Sequence, residues 1–184
     1  MQNPVARDIL SVVREPTVAA CSEAVRNCLC FNLRKLTRSV KGVYDQALRE
    51  ADLSSGQFAL LLALRIGGPL TKRDLAEMVR AERSALTRNL HPLIRRKLVE
   101  EREGSDRRTR FVSLTPAGVE AIQRGIPRWR NAQKRATQLL SQEGMNHLLG
   151  AVQRSLEIVS KSEQLSEDLP IAKRRASDQA AATF

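Results

Sequence analysis

The sequence predicts a mostly helical fold carrying one small β-hairpin, and three observations predict it. Apolar residues recur at three- and four-residue steps through most of the chain. The period changes only around Val99–Glu103 and Arg110–Leu114, which read as two short strands joined by the polar turn from Gly104 to Thr109. Capping signals at Ser54, Thr71 and Thr115 divide the helical stretches into pieces of globular length.

The 184 residues carry 31 Lys and Arg against 20 Asp and Glu, a formal net charge of +11. Such an excess favours a polyanionic partner, either nucleic acid or an anionic membrane surface. Aromatic residues make up only 3% of the chain, too few for the stacking platforms of single-strand or RNA binders. No apolar run approaches the ~18 residues of a membrane span, and no secretory signal pattern opens the chain. Cys21, Cys28 and Cys30 form an odd, local set rather than a disulfide framework. These features together predict a cytoplasmic protein.

In chain order, residues 1–17 mix charges with Pro4 and Pro16 and are expected to form a flexible arm. Val25, Leu29, Leu33, Leu36, Val40 and Val43 give one long helix an apolar face. Ser54 with Gln57 is a capping box opening the run Phe58–Leu64, which Gly67, Gly68 and Pro69 terminate; its nearly unbroken hydrophobicity predicts a buried helix. Thr71 caps a short helix holding Leu75, Ala76 and Met78. The next helix has Leu86, Leu90, Leu93 and Leu98 as its inner stripe. After the hairpin, Thr115-Pro116 restarts a long helix through Ile122, Ile126, Trp129 and Leu140, with a kink expected at Pro127. A last helix carries Met145, Leu148, Leu149, Val152, Leu156 and Val159. Residues 162–184 are expected to be a disordered basic tail.

Two short helices followed by a basic hairpin form a winged helix-turn-helix arrangement, which presents its second helix to the major groove of duplex DNA. With Leu86, Leu90 and Leu93 inward, Arg83, Ser84, Thr87, Arg88 and His91 turn outward. Arginine and small hydroxyl side chains there suit base edges and phosphates. The N–H groups of Thr71, Lys72 and Arg73 at a helix start add a phosphate-binding element. Ten Lys and Arg against five Asp and Glu fall between Arg80 and Arg110, and Arg107, Arg108 and Arg110 gather at the hairpin tip, where a narrow loop can enter the minor groove.

At this point the motifs resemble a family. Thr71-Lys-Arg-Asp-Leu-Ala-Glu, Arg83-Ser-Ala-Leu-Thr-Arg-Asn-Leu-His-Pro-Leu, Lys97-Leu-Val-Glu-Glu-Arg, Asp106-Arg-Arg-Thr-Arg and Leu114-Thr-Pro-Ala-Gly resemble the MarR (multiple antibiotic resistance regulator) family over residues 21–159. The resemblance implies one domain over 18–161, with the reading head at 71–115 and dimerisation helices at 18–50 and 116–161. It implies a homodimer that binds a pseudo-palindromic operator in double-stranded DNA and usually represses transcription. It also implies that Asp106 braces the wing and Arg108 enters the minor groove. Glu82 departs from the pattern, standing where the family often has Asp or Ser, and Glu is a poor N-cap.

Two forms of control are open. The resemblance implies a small organic effector between the dimer helices and the reading head; Phe31, Phe58 and Trp129 are candidate apolar walls and Arg34 a partner for a carboxylate. Alternatively, Cys30 falls on the reactive-cysteine position of the family's organic-hydroperoxide-sensing branch, and Tyr44 on one of its two supporting tyrosines. Ser55 occupies the place of the second. Cys28 and Cys30, two apart on one helix, point to opposite sides and do not bridge. Otherwise the cysteines serve as small apolar residues. No metal site is expected, since His91 and His147 lie in separate elements far from the cysteines. No cofactor or catalytic motif is legible: there is no glycine-rich phosphate loop, paired-His motif or nucleophile elbow. A non-specific architectural DNA-binding protein and a membrane-surface protein are the competing classes.

Overall fold

The computed structural model describes residues 15–104 and 109–167. The elements are α1 (Val18–Asn27), α2 (Leu29–Leu48), a 3₁₀ turn (Arg49–Ala51), α3 (Ser55–Gly67), β1 (Leu70–Thr71), α4 (Lys72–Met78), α5 (Arg83–Arg95), β2 (Val99–Glu103), β3 (Arg110–Leu114), α6 (Pro116–Leu140) and α7 (Gln142–Glu167). The expected mostly helical fold with a small hairpin is what the chain adopts. It divides into two compact units, one ending at Trp129 and one beginning at Arg130. Most of the expected N-terminal arm and of the expected basic tail lies outside the described residues.

The expected single first helix is in fact two. Cys28 breaks it with an extended backbone at φ −72° and ψ 109°. The break is held by local hydrogen bonds that compete with continued helix. The Phe31 N–H donates to Cys28 Sγ, which caps α2. The Asn32 side-chain amide donates back to the carbonyls of Val25 and Arg26 at the end of α1, at 3.2 and 3.0 Å, and to the Cys28 carbonyl at 2.9 Å, which also accepts the Asn32 backbone N–H. Cys28 therefore does not lie on the helix that contains Cys30, and the helical-spacing argument against their meeting loses its premise.

The core belongs to the first unit. Phe58, Leu60, Leu61, Ala63 and Leu64 bury most of α3 among Leu75, Leu86, Leu90, Leu93, Leu98, Val99, Val112, Ala121 and Ile122. The expected capping box forms: Ser54 Oγ accepts from Gln57 N–H at 3.2 Å, and Gln57 Oε1 accepts from Ser54 N–H at 3.0 Å. A second acceptor reaches the same helix start from α2, where Asp45 Oδ1 takes the Ser55 N–H at 2.7 Å. Gly56 lets α3 approach α5, since a Cβ there would stand 2.7 Å from Asn89 Oδ1.

The hairpin pairs as expected, Val99 with Leu114 through Glu103 with Arg110. A third strand, unforeseen in the sequence, completes an antiparallel sheet in the order β1-β3-β2, with Leu70 opposite Val112 and Thr71 opposite Phe111. Thr115 closes the sheet onto α6. Its Oγ1 accepts from Gly118 N–H at 3.1 Å and donates toward the carbonyls of Lys97 and Leu98. Helix α6 runs through Pro127.

In the second unit, Ala132, Ala136 and Met145 are buried, and Ser141 turns the chain between α6 and α7 in the left-handed region at φ 63°. Its Oγ accepts from Gly144 N–H, capping α7. The expected helix end near Ser162 falls inside α7, which continues to Glu167. No helix among the described residues is long and apolar enough to cross a membrane.

Candidate nucleic-acid interface

The reading head is assembled from two capped helices and the sheet. Thr71 Oγ1 accepts from Asp74 N–H at 3.1 Å and donates to Asp74 Oδ2 at 2.8 Å, so its hydroxyl serves the cap of α4. Asp74 also complements the positive end of that helix. After Met78 the chain reverses through Arg80, whose φ of 46° places a non-glycine residue in the left-handed region. Ala81 N–H to Ala76 carbonyl at 2.9 Å and Arg80 N–H to Glu77 carbonyl at 3.0 Å hold the turn. Such a residue costs about 1 kcal/mol, so the turn persists because core packing on both sides over-determines it.

Helix α5 then presents two faces. Leu86, Leu90 and Leu93 are 3%, 2% and 0% exposed, anchoring the inner face in the core. Arg83, Ser84, Thr87 and Arg88 are exposed together on the other. Glu82 stands at the N-cap without a side-chain hydrogen bond, so the first-turn N–H groups of α5 receive no oxygen from the capping residue's side chain. The Thr87 hydroxyl donates to the Arg83 carbonyl at 2.9 Å, which leaves an acceptor lone pair and a methyl group for any partner. Asn89, passed over in the sequence, donates to the Ala85 carbonyl and packs beside Gly56.

His91, one helical turn beyond Thr87, is exposed on the same face and borders a groove with Ile94, Lys97, Glu101 and Thr115.

Lys72 of α4 and Arg110 of β3 each lie near a carboxylate. Lys72 Nζ lies 2.8 Å from Glu101 Oε1, and Arg110 lies 3.9 Å from both Glu101 and Glu103. Arg73, at the same helix start, is exposed. Asp106, Arg107 and Arg108 lie outside the described residues.

The remaining candidates scatter. Phe58 is 2% exposed, its ring in the core so close to Gly125 of α6 that a Cβ there would sit 2.5 Å away. That corrects its reading as a wall of an open effector site: aromatic bulk in the middle of a buried helix is packing. Phe31 and Trp129 are 47% and 37% exposed. Arg34 lines a surface groove with Cys30, Leu33, Thr37 and Arg38. Cys21, Cys28 and Cys30 are all exposed. Tyr44 is half-buried, and burial raises its phenol above the ordinary value. Cys30 and Tyr44 share α2, fourteen residues apart, hence about 21 Å along the axis. Within one chain, then, Tyr44 and Cys30 do not meet.

Comparisons with known proteins agree with this geometry. A sequence model of the MarR family matches residues 51–109, from the 3₁₀ turn to the hairpin. An uncharacterised HTH-type transcriptional regulator of Bacillus cereus is 28% identical over 103 residues, 56% of this chain and 69% of that protein. The transcriptional regulator MosR of M. tuberculosis, solved in complex with DNA, is 30% identical over 72% of this chain and 98% of its own, with a TM-score of 0.61. BpsR of Bordetella bronchiseptica, whose DNA binding is regulated by 6-hydroxynicotinic acid, shares the fold at 19% identity and a TM-score of 0.64, over 71% of this chain and 95% of its own. The matching family model, the MosR similarity and the capped two-helix head with its wing lead to one conclusion: the chain belongs to the MarR family of DNA-binding transcriptional regulators.

Proposed function

We propose that the chain acts as a homodimeric repressor on a pseudo-palindromic operator and is released from it by a small organic effector. The observation that carries the reading is the exposed row of Arg83, Ser84, Thr87 and Arg88 over a buried leucine stripe. A helix so oriented lays guanidinium and hydroxyl groups along the major groove. Lys72, Arg73 and the uncapped start of α5 face phosphates, while Asp106, Arg107, Arg108 and Arg110 form the minor-groove wing, with Thr71 setting the entry of α4. His91, one turn beyond Thr87, extends the same reading face.

The dimer is supported by exposed apolar side chains that a lone chain leaves in water. On α1 and α2 these include Val18, Val25, Leu29, Phe31 and Leu33; on α7 they include Leu149, Val152, Leu156 and Val159 at helical spacing. We assign residues 18–50 and 116–161 to this interface, and residues 71–115 to DNA reading. An effector acts by favouring dimer geometries in which the two α5 helices no longer match half-sites about one helical turn apart.

A second reading rests on Cys30, which is exposed in the groove that also holds Arg34 and Arg38. Peroxides attack a solvent-accessible thiolate. Loss of DNA binding on peroxide treatment, abolished by Cys30→Ser, supports this control, and an indifferent parent protein removes it.

The test is selection of bound fragments from genomic DNA, followed by competition against random duplex at fixed salt. Enrichment of a shared inverted repeat, and a cost of about 1–3 kcal/mol at that repeat for Arg88→Ala, is the expected result. Equal affinity for selected and random duplex would falsify the operator reading and favour an architectural protein.

A further inference from the structure

Glu101 sits at a junction that the readings above leave without a role. It is the third residue of β2 and opposes Val112, which is 0% exposed, so its backbone is fixed by the sheet and the core beneath it. From there its carboxylate meets Lys72 of α4 at 2.8 Å and Arg110 of β3 at 3.9 Å. The side-chain exposures run in one direction: 22% for Glu101, 54% for Lys72 and 63% for Arg110. The carboxylate is thus set below the surface and the two cations reach over it toward solvent. Attraction to a half-buried charge is screened less than attraction between two exposed ones. Of the neighbouring acids, Glu100 pairs with Arg102, and Glu103 lies near Arg110.

We propose that Glu101 is a positioning residue that holds Lys72 and Arg110 back from DNA phosphates and so limits the affinity of the head for duplex of any sequence. The proposal rests on the assignment of Lys72 and Arg110 to the DNA face. Sequence-independent binding comes from cations displacing the counterions of phosphates, each full contact adding about 0.9 to the slope of log affinity against log salt. A lysine that keeps its carboxylate partner contributes only part of such a contact. The anchored carboxylate also repels any phosphate that approaches it. Both effects act on all duplexes alike, because neither involves a base edge.

The experiment measures binding of the full chain to a random-sequence duplex by fluorescence anisotropy across a salt series. Glu101→Gln keeps the shape and removes the charge; it is expected to tighten binding several-fold and steepen the slope by about one unit, chiefly through Lys72, since Arg110 keeps Glu103 at 3.9 Å. Glu101→Asp, which retains the charge, is expected to keep the parent slope. A fold defect weakens binding and does not steepen its salt dependence, so the slope separates the proposed role from a structural one. A further arm leaves Glu101 in place: Lys72→Ala alone should lower the slope by well under one contact, and by about 0.9 in the Glu101→Gln background. An unchanged or shallower slope for Glu101→Gln, or a full-contact loss for Lys72→Ala with Glu101 present, overturns the proposal. A parent protein with no salt-dependent duplex binding overturns the DNA reading itself, and these results are distinguishable.

Discussion

Replacing Gly118 by alanine sets two local rules against each other. Gly118 lies in the first turn of α6, where an alanine is intrinsically about 1 kcal/mol better than glycine. Built on the observed backbone, however, its Cβ would stand 2.0 Å from the Leu98 carbonyl oxygen and 3.1 Å from Leu114 Cδ2. Carbon and carbonyl oxygen ordinarily keep about 3.3 Å apart, so the start of α6 or the turn at Leu98 that leads into β2 must move by more than an ångström. Neither yields easily, because the same Leu98 carbonyl accepts from Thr115 N–H at 3.2 Å and from Thr115 Oγ1 at 3.1 Å. Overpacking of this kind costs about 1–3 kcal/mol, and each hydrogen bond lost costs about 1 more. Set against the gain in helix propensity, the net destabilisation is about 2–4 kcal/mol. For a chain of this length that lowers Tm by roughly 5–15 °C. Thermal unfolding followed by circular dichroism is the assay, at matched protein concentration because association would shift Tm. Gly42→Ala is the control: it lies inside α2, a Cβ added there would meet nothing within 4 Å, and the change is expected to raise Tm slightly. A Gly118→Ala protein that melts at or above its parent refutes the close approach of α6 to Leu98, and with it the anchoring of the wing strand that begins at Val99.

Two further substitutions probe the frame. The carboxyl of Asp45 is pushed up by burial, but hydrogen bonds from Lys41 and Ser55 outweigh this and hold it below the ordinary aspartate value. A carboxyl whose folded value is depressed contributes stability that is present above the unfolded value and lost as pH falls through the folded one. Asp45→Asn should therefore cost about 1 kcal/mol near neutrality, a discounted figure because the Lys41 side is solvent-screened. The difference from the parent in urea unfolding should shrink below pH ~4; a gap independent of pH counts against it. Asn32→Ala removes the amide that bridges α1 and α2. Hydrogen exchange should quicken across Val18–Asn27 with little change in the second half of α2, whereas uniform quickening would mean the bridge is not local.

Much of the head was legible because its signals are local. Ser54, Thr71 and Thr115 act through side-chain oxygens on N–H groups three residues on, so the residue type and spacing are enough to place three helix starts. The leucine period of α5 likewise names its buried face, and with it the exposed arginines opposite. Helix ends were harder. Asp52, Arg80, Lys97 and Ser141 all take left-handed backbones where the usual signal is glycine. The break at Cys28 carried no glycine or proline either, since it is stabilised by Asn32, whose carbonyl partners lie as far as seven residues back.

By itself, then, the sequence determined the helical periodicity, the capped starts, the hairpin and the family, because these depend on neighbours a few residues apart. Only the tertiary structure decided what distant residues do to one another. The two-residue strand β1 exists because β3, far later in the chain, offers it an edge. Phe58 is core because α6 passes over it at Gly125. Lys72, named in the sequence for its N–H at a helix start, and Arg110, named for the hairpin, are partners of one carboxylate because the sheet brings α4, β2 and β3 together at Glu101. Charge is a property of the residue, but the availability of that charge depends on what folding places beside it.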